Sequence, residues 1–145
     1  MSKVLIAYHS DTGNTKRLAE LIAAGAKSGG ADVQIVAAAE MDMDAAAKAD
    51  GLAIGSPDYF SYVAGTVKTF FDKAFSDKRF KGKPCAVFGT HGGGGKVVGV
   101  IEKLAKSIGL VQVGTGLLVQ GKPGPADEPK AHQLGQALAE AAAKK

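Results

Sequence analysis

The 145-residue chain has the length of a single domain, and its 46% hydrophobic content is enough to fill one core. No apolar run reaches the ~20 residues of a membrane-spanning helix, and the one cysteine, Cys85, can form neither an internal disulfide nor a cysteine-rich metal site. The formal net charge of +4 comes from scattered basic residues, and no aromatic platform for bases accompanies the densest run, 78–83. That balance excludes nucleic acid as the expected partner and favours acidic ones.

Lys3 to Tyr8 reads as a first strand of apolar residues. The chain enters it without a basic leader or an apolar signal segment, so we expect a cytoplasmic protein. His9-Ser-Asp-Thr-Gly-Asn-Thr15 follows, and then Leu18, Leu21, Ile22 and Ala26 recur at helical spacing. A hydroxyl-rich turn with one glycine therefore sits where a strand gives way to a helix. The free amides and macrodipole of a helix start attract an anion, and Ser10, Thr12, Asn14 and Thr15 add neutral donors. The plainer reading is a helix cap, for which these residue types are also favoured, although a cap uses only one of them.

Gly29-Gly30 stops the helix, Asp32 to Ala37 is a second strand, and a brief helix is expected around 43–49. Gly51 to Ser56 is a third strand closed by Pro57, followed by an aromatic loop over 58–65. Val67, Phe70, Phe71, Ala74 and Phe75 mark one face of the next helix. The fourth strand spans about Lys83 to Thr90, with Cys85 expected as a buried, inert thiol inside it. After the glycine-rich loop 90–96, Val97, Ile101, Leu104, Ala105 and Ile108 face inward on a helix. Leu110 to Val119, carrying Gly114 and Gly116, is the fifth strand. A last helix from about Asp127 places Ala131, Leu134, Leu138 and Ala142 inward.

Alternating strands and helices imply a parallel sheet covered on both faces. Ligands in such folds bind beyond the carboxyl ends of the strands, where loops 9–15, 57–65 and 90–96 all open. Spacing removes several alternatives. With Gly95-Lys96 fixed, a triphosphate loop needs glycine at Thr90 and a hydroxyl at Val97, and a dinucleotide fingerprint needs glycine at Val97 or Val98. A receiver-type site needs an acidic cluster where Tyr8-His9-Ser10 stands, and a thiol phosphatase needs its cysteine in the phosphate loop.

What is left is a resemblance across essentially the whole chain. Ser10-Asp-Thr-Gly-Asn-Thr15 is similar to the [ST]-x-T-G-x-T phosphate loop of flavodoxins. Gly55-Ser-Pro-Asp-Tyr59 and Phe88-Gly-Thr-His-Gly-Gly93 resemble the second and third flavin loops of flavodoxin-like quinone reductases and diiron flavoproteins. The resemblance implies a flavodoxin-like three-layer α/β sandwich in one domain, 1–145, with a five-stranded parallel sheet of order 2-1-3-4-5. It implies FMN as cofactor, its phosphate held by Ser10, Thr12, Asn14 and Thr15 with the amides of Asp11 to Thr15, Gly13 among them. Ser56, Pro57, Asp58, Tyr59, Phe60, Ser61 and Tyr62 would line one side of the flavin ring, and Thr90, His91, Gly92 and Gly93 the other. Tyr59, and after it Phe60 or Tyr62, are the rings to stack on the flavin, with ordinary packing as the alternative. His91 either hydrogen-bonds the flavin or a substrate, or is an exposed loop residue.

The function so implied is an electron shuttle between a reductase and an electron acceptor, acidic at the contact, from a monomer or homodimer. The alternatives are an FMN-dependent NAD(P)H:quinone oxidoreductase and a flavodoxin-fold binding module without redox activity. The chain departs from many flavodoxins in having no tryptophan and no glycine over 58–61, and in its positive net charge. The charge leads us to expect a less negative flavin potential than that of acidic flavodoxins.

Overall fold

Four strands form the body of the sheet, three of them buried apolar runs and one a half-exposed strand at its edge. In the computed structural model, which describes residues 1–144, they are β1 (Lys3–Tyr8), β2 (Asp32–Ala37), β3 (Gly51–Pro57) and β4 (Pro84–His91). Helices α1 (Asn14–Ser28), α2 (Met43–Lys48), α3 (Gly65–Ala74) and α4 (Val97–Ser107) connect them and lead out of β4. β5 (Val111–Gln112), β6 (Leu117–Gln120) and α5 (Glu128–Ala143) complete the chain. Every strand pair is parallel, in the order β2-β1-β3-β4-β5, with β6 also against β4. The central strands are buried on both faces, which is why they read as unbroken hydrophobic runs.

Alternation along each strand sorts side chains into two cores. Leu5, Leu52, Ile54, Cys85 and Val87 face α2, α3 and α4. Val4, Ile6, Ala53, Ala86 and Phe88 face α1 and α5. On that second face Gly25 of α1 lies against the His132 backbone, and Gly135 of α5 lies against the Ile22 carbonyl, so the two helices touch backbone to backbone.

Two expectations need correction. The fifth strand is two pieces: Gly114, at φ 66°, turns the chain out of the ladder, and residues 113–116 separate β5 from β6. Val113 still donates to the Cys85 carbonyl at 2.8 Å, so the break begins just past it. Phe75 is 73% exposed instead of inward. α3 ends at Ala74, and its buried stripe, Val67, Phe70, Phe71 and Ala74, leaves Phe75 one position off the face. Cys85 is fully buried, and burial pushes its thiol up to about 12, so it is inert as expected.

Candidate functional site

β1, β3 and β4 end side by side, and this register brings three loops to one edge of the sheet. They are stitched together by hydrogen bonds. His9 N–H donates to the Gly55 carbonyl at 3.2 Å, and Asp58 N–H to the Thr90 carbonyl at 2.8 Å. The hydroxyls of Thr15 and Thr90, both buried, bond to each other at 2.7 Å. In such a pair one hydroxyl donates and the other keeps its proton for a further acceptor.

The first loop leads into α1 with Gly13 as its N-cap at φ 95°. No side chain caps the helix start, and its first turn holds no acidic residue. The first intrahelical bond runs from Arg17 N–H to the Gly13 carbonyl, so the amides of Asn14, Thr15 and Lys16 have no acceptor within the helix. Ser10 Oγ accepts from Gly13 N–H at 3.0 Å, which folds the loop back on itself. Thr12 is exposed beside these amides. The cap reading thus fails for α1. What remains is a cluster of N–H and O–H donors, with Lys16 beside them, which fits a dianionic phosphate. A cleft of about 540 Å³ opens there, lined among others by His9, Ser10, Thr12, Lys16 and Ala38.

The second loop is held by two side chains. Buried Ser56 Oγ accepts from Ala64 N–H at 2.9 Å and donates to the Pro57 carbonyl at 2.8 Å. Asp58 accepts from Ser61 N–H at 2.8 Å through Oδ1, and from Lys96 and Val97 N–H at 2.8 and 3.2 Å through Oδ2. Its carboxylate thereby caps α4 from another loop and ties the second loop to the third. Tyr59 and Tyr62 exchange both backbone hydrogen bonds across a two-residue turn. The turn residues, Phe60 and Ser61, have φ of 56° and 65°. Phe60 is fully exposed and Tyr62 42% exposed.

His9, which sequence reading leaves out of the site, belongs to it. Its Nδ1 bonds Thr66 Oγ1 at 2.8 Å, its Nε2 bonds Asp11 Oδ2 at 3.2 Å, and its ring meets the Tyr59 ring edge-on. The Tyr59 hydroxyl donates to the same Asp11 oxygen, which closes the first loop on the second. Adjacency to the hydroxyl-rich turn was the only signal for His9 in the sequence. The hydrogen bonds from Tyr59 and then His9 hold the Asp11 carboxyl below its usual range. Partial burial first, then the hydrogen bond and charge of Asp11, push the Tyr59 phenol up to about 12.

The Asp11–Tyr59 contact therefore favours ionised Asp11 and protonated Tyr59. Its contribution is lost in acid as pH falls through the lowered Asp11 value, and in alkali as pH rises from about 10 toward 12. In an alkaline absorbance titration one phenol is expected to ionise near 12, and that step should be missing from Tyr59→Phe. A titration of the variant that still shows it would place the contact elsewhere.

In the third loop, Gly92 and Gly93 have open space around them, while Gly94 packs near the Asp58 carboxylate. His91 Nδ1 is the one buried side-chain polar atom among the described residues with no hydrogen-bond partner. No group of three His, Cys, Asp or Glu side chains among the described residues could hold a metal ion. No helix among them is long and apolar enough to cross a membrane.

Comparisons with known proteins agree with this geometry. The flavodoxin family model matches residues 6–135. A flavodoxin from Aquifex aeolicus is 35% identical, with 97% of this chain and 86% of that protein covered. A solved flavodoxin from the domain Archaea superposes with a TM-score of 0.91 at 28% identity, covering 97% of this chain and 99% of its own. More distant is a protein named NAD(P)H dehydrogenase (quinone) from Archaeoglobus fulgidus, 28% identical over 88% of this chain and 80% of its own. With its sheet order, its donor-ringed first βα turn and these relatives, the chain belongs to the flavodoxin family of FMN-binding electron-transfer proteins.

Proposed function

We propose that this chain carries electrons between a cytoplasmic reductase and an electron acceptor that are acidic at the contact, with FMN held as follows. The Ser10 and Thr12 hydroxyls, the Asn14 side chain and the amides of Asp11 to Thr15 take the phosphate, with Thr15 completing the ring through the proton its pair with Thr90 leaves over. Tyr59 and Tyr62, side by side on one face of their hairpin, take the flavin ring on one side, and Thr90 to Gly93 approach it on the other. Ser56 and Asp58 position these loops. Bound FMN supplies the redox chemistry itself. The chain's part is to bind it, orient it and set its surroundings.

The observation that carries this reading is the start of α1, where donors converge with no acidic residue and no side-chain cap. Thr12 is the clean test, since its exposed side chain makes no hydrogen bond to the described residues. A hydroxyl bonded to a charged phosphate contributes ~1.5–3 kcal/mol, so Thr12→Ala should weaken FMN binding by roughly ten- to a hundredfold. Fluorescence titration of the apoprotein measures this. Unchanged affinity with an unchanged melting temperature would remove the phosphate from this loop.

The quinone reductase reading is supported by the likeness of the second and third loops and by the more distant relatives of that name. Mixing the holoprotein with NADH or NADPH and a quinone separates the two. A carrier shows no turnover until a reductase is added.

A further inference from the structure

Basic residues that are scattered along the chain gather at one end of the fold, the end opposite the flavin loops. There the parallel strands begin and the helices finish, which brings together segments 1–3, 27–32, 44–51, 72–84, 102–112 and 140–144. These segments hold eleven Lys and Arg against seven Asp and Glu, whereas the remaining described residues hold six against seven. The acidic side chains at this end are also mostly engaged. Asp44 and Asp77 both bond Arg79, Asp72 pairs with Lys68, and Glu140 pairs with Lys144. Glu102 accepts from Gln112, and Asp50 accepts from the Lys3 N–H, so Asp32 alone has no such partner among the described residues. Lys83 is buried and donates to the Ala49 carbonyl.

Five exposed lysines that form no ion pair with a described residue, Lys73, Lys78, Lys81, Lys103 and Lys106, share one face of this end. The turns over 75–83 pack against the end of α4. Gly82 N–H donates to the Gly109 carbonyl at 2.8 Å, and a Cβ at Gly109 would lie 3.1 Å from the Lys81 backbone. Lys103, Lys106 and Val111 line an open groove beside this contact. Phe75 and Val111 place two apolar side chains among the charges, 73% and 56% exposed. Lysine near a helix C-terminus complements the macrodipole, and that accounts for Lys73 and Lys106. It accounts neither for Lys78 and Lys81 nor for a phenylalanine left in water between them and α3.

The composition of the face selects its partner. Its one arginine is tied up by two carboxylates, so the fork that grips a single phosphate is taken. The lysines that remain are mobile point charges, suited to a diffuse array of phosphates. Single-stranded nucleic acid is held by several stacked rings, and this face offers one. An exposed aromatic flanked by lysines fits a lipid headgroup layer, with the ring at the boundary and the cations over the phosphates. We propose that this end of the molecule binds the anionic surface of a membrane, with Phe75 entering the headgroup layer and the five lysines over the lipid phosphates. The flavin loops lie at the far end of the strands, so a bound molecule keeps them turned to solvent. The contact itself is independent of FMN, and its use to an electron carrier rests on the function proposed above. Binding confines the carrier to the plane in which membrane-held redox proteins meet it, while leaving its cofactor edge open.

The test sediments the FMN-loaded protein with vesicles of phosphatidylcholine alone or of an equal mixture with phosphatidylglycerol. Binding should be at least tenfold tighter to the anionic vesicles and should fall at least tenfold from low to high salt. Lys78→Glu with Lys81→Glu should weaken it at least tenfold, with FMN uptake and melting temperature unchanged. Lys122→Glu with Lys130→Glu makes the same change in net charge at the other end, beyond a screening length, and should weaken it less than threefold. The chain has no tryptophan, so Phe75→Trp supplies a single reporter. Its emission should shift to the blue on anionic vesicles and be quenched by lipids brominated near the headgroup. Equal binding to both vesicles, equal losses in the two double variants, or an unshifted emission would overturn the proposal. Tighter capture by a single-stranded oligonucleotide or by polyglutamate at matched charge would assign the face to nucleic acid or to an acidic protein, and would overturn it as well. Failure to take up FMN would remove the carrier reading and leave vesicle binding intact, so the two failures are separable.

Discussion

Gly135→Ala is expected to destabilise the fold by about 3 kcal/mol or more, the upper end of what forcing atoms into a packed interior costs. Two effects oppose each other. Alanine in place of glycine inside a helix is favourable by ~1 kcal/mol. Against that, a Cβ at 135 would lie 2.0 Å from the Ile22 carbonyl oxygen and 2.7 Å from the Ala26 nitrogen. Those are backbone atoms of α1 and cannot swing aside, so the two helices must separate. Separation would loosen Ile22, Leu134 and Leu138, all buried in the same core. Gly25→Ala meets the reciprocal obstacle, the His132 carbonyl oxygen at 2.0 Å. Gly99→Ala in α4 is the control, since that position is exposed and a Cβ there meets nothing within 4 Å. Urea unfolding should show Gly99→Ala slightly stabilised and Gly135→Ala severely destabilised. Equal stabilities would mean that the helices do not touch as described.

Asp58→Ala is expected to cost about 2–3 kcal/mol of stability and at least tenfold in FMN affinity, because hydrogen bonds to charged groups contribute ~1.5–3 kcal/mol each. The carboxylate receives amides from its own loop and from the first turn of α4, where a negative charge is favoured by the helix dipole. Without it, Lys96 and Val97 N–H lose their acceptor and the second and third loops come apart. Asp58→Asn keeps an acceptor oxygen and should recover part of both losses. Fluorescence titration and limited proteolysis of loops 57–64 and 91–96 measure the two effects together. An FMN affinity lost in Asp58→Ala while the loops stay resistant to protease would make Asp58 a direct ligand of the cofactor instead of a brace.

Periodicity made the sheet and helices readable, because each central strand is an unbroken apolar run and each helix repeats its buried stripe. Lys3–Tyr8 and Asp32–Ala37 were legible to the residue. The start of α1 was legible for a different reason: four donor side chains in six residues exceed what a cap can use. Side-chain partnerships were not legible. Nothing in the order Asp58-Tyr59 says that one carboxylate reaches across to α4 while the next phenol reaches back to Asp11. These are contacts between loops brought together by the sheet, and spacing along the chain carries no record of them. His9 and the exposed Phe75 were misplaced for the same reason: local pattern cannot locate the end of a helix or the reach of a ring.

The interruption between β5 and β6 bears on how the molecule behaves in a crowd. A lateral strand with its ladder groups bare is a ready template for another chain to stack against, and the hazard grows with its length and flatness. On this side of the sheet, opposite β2, the outermost paired segments are only two and four residues long, and the chain leaves the ladder between them at Gly114. A sister molecule approaching Val111 and Leu118, both exposed, finds no continuous rail to zip along. The kink guards this one edge against strand addition, and an insertion or substitution that straightened residues 113–116 would trade that guard for stickiness.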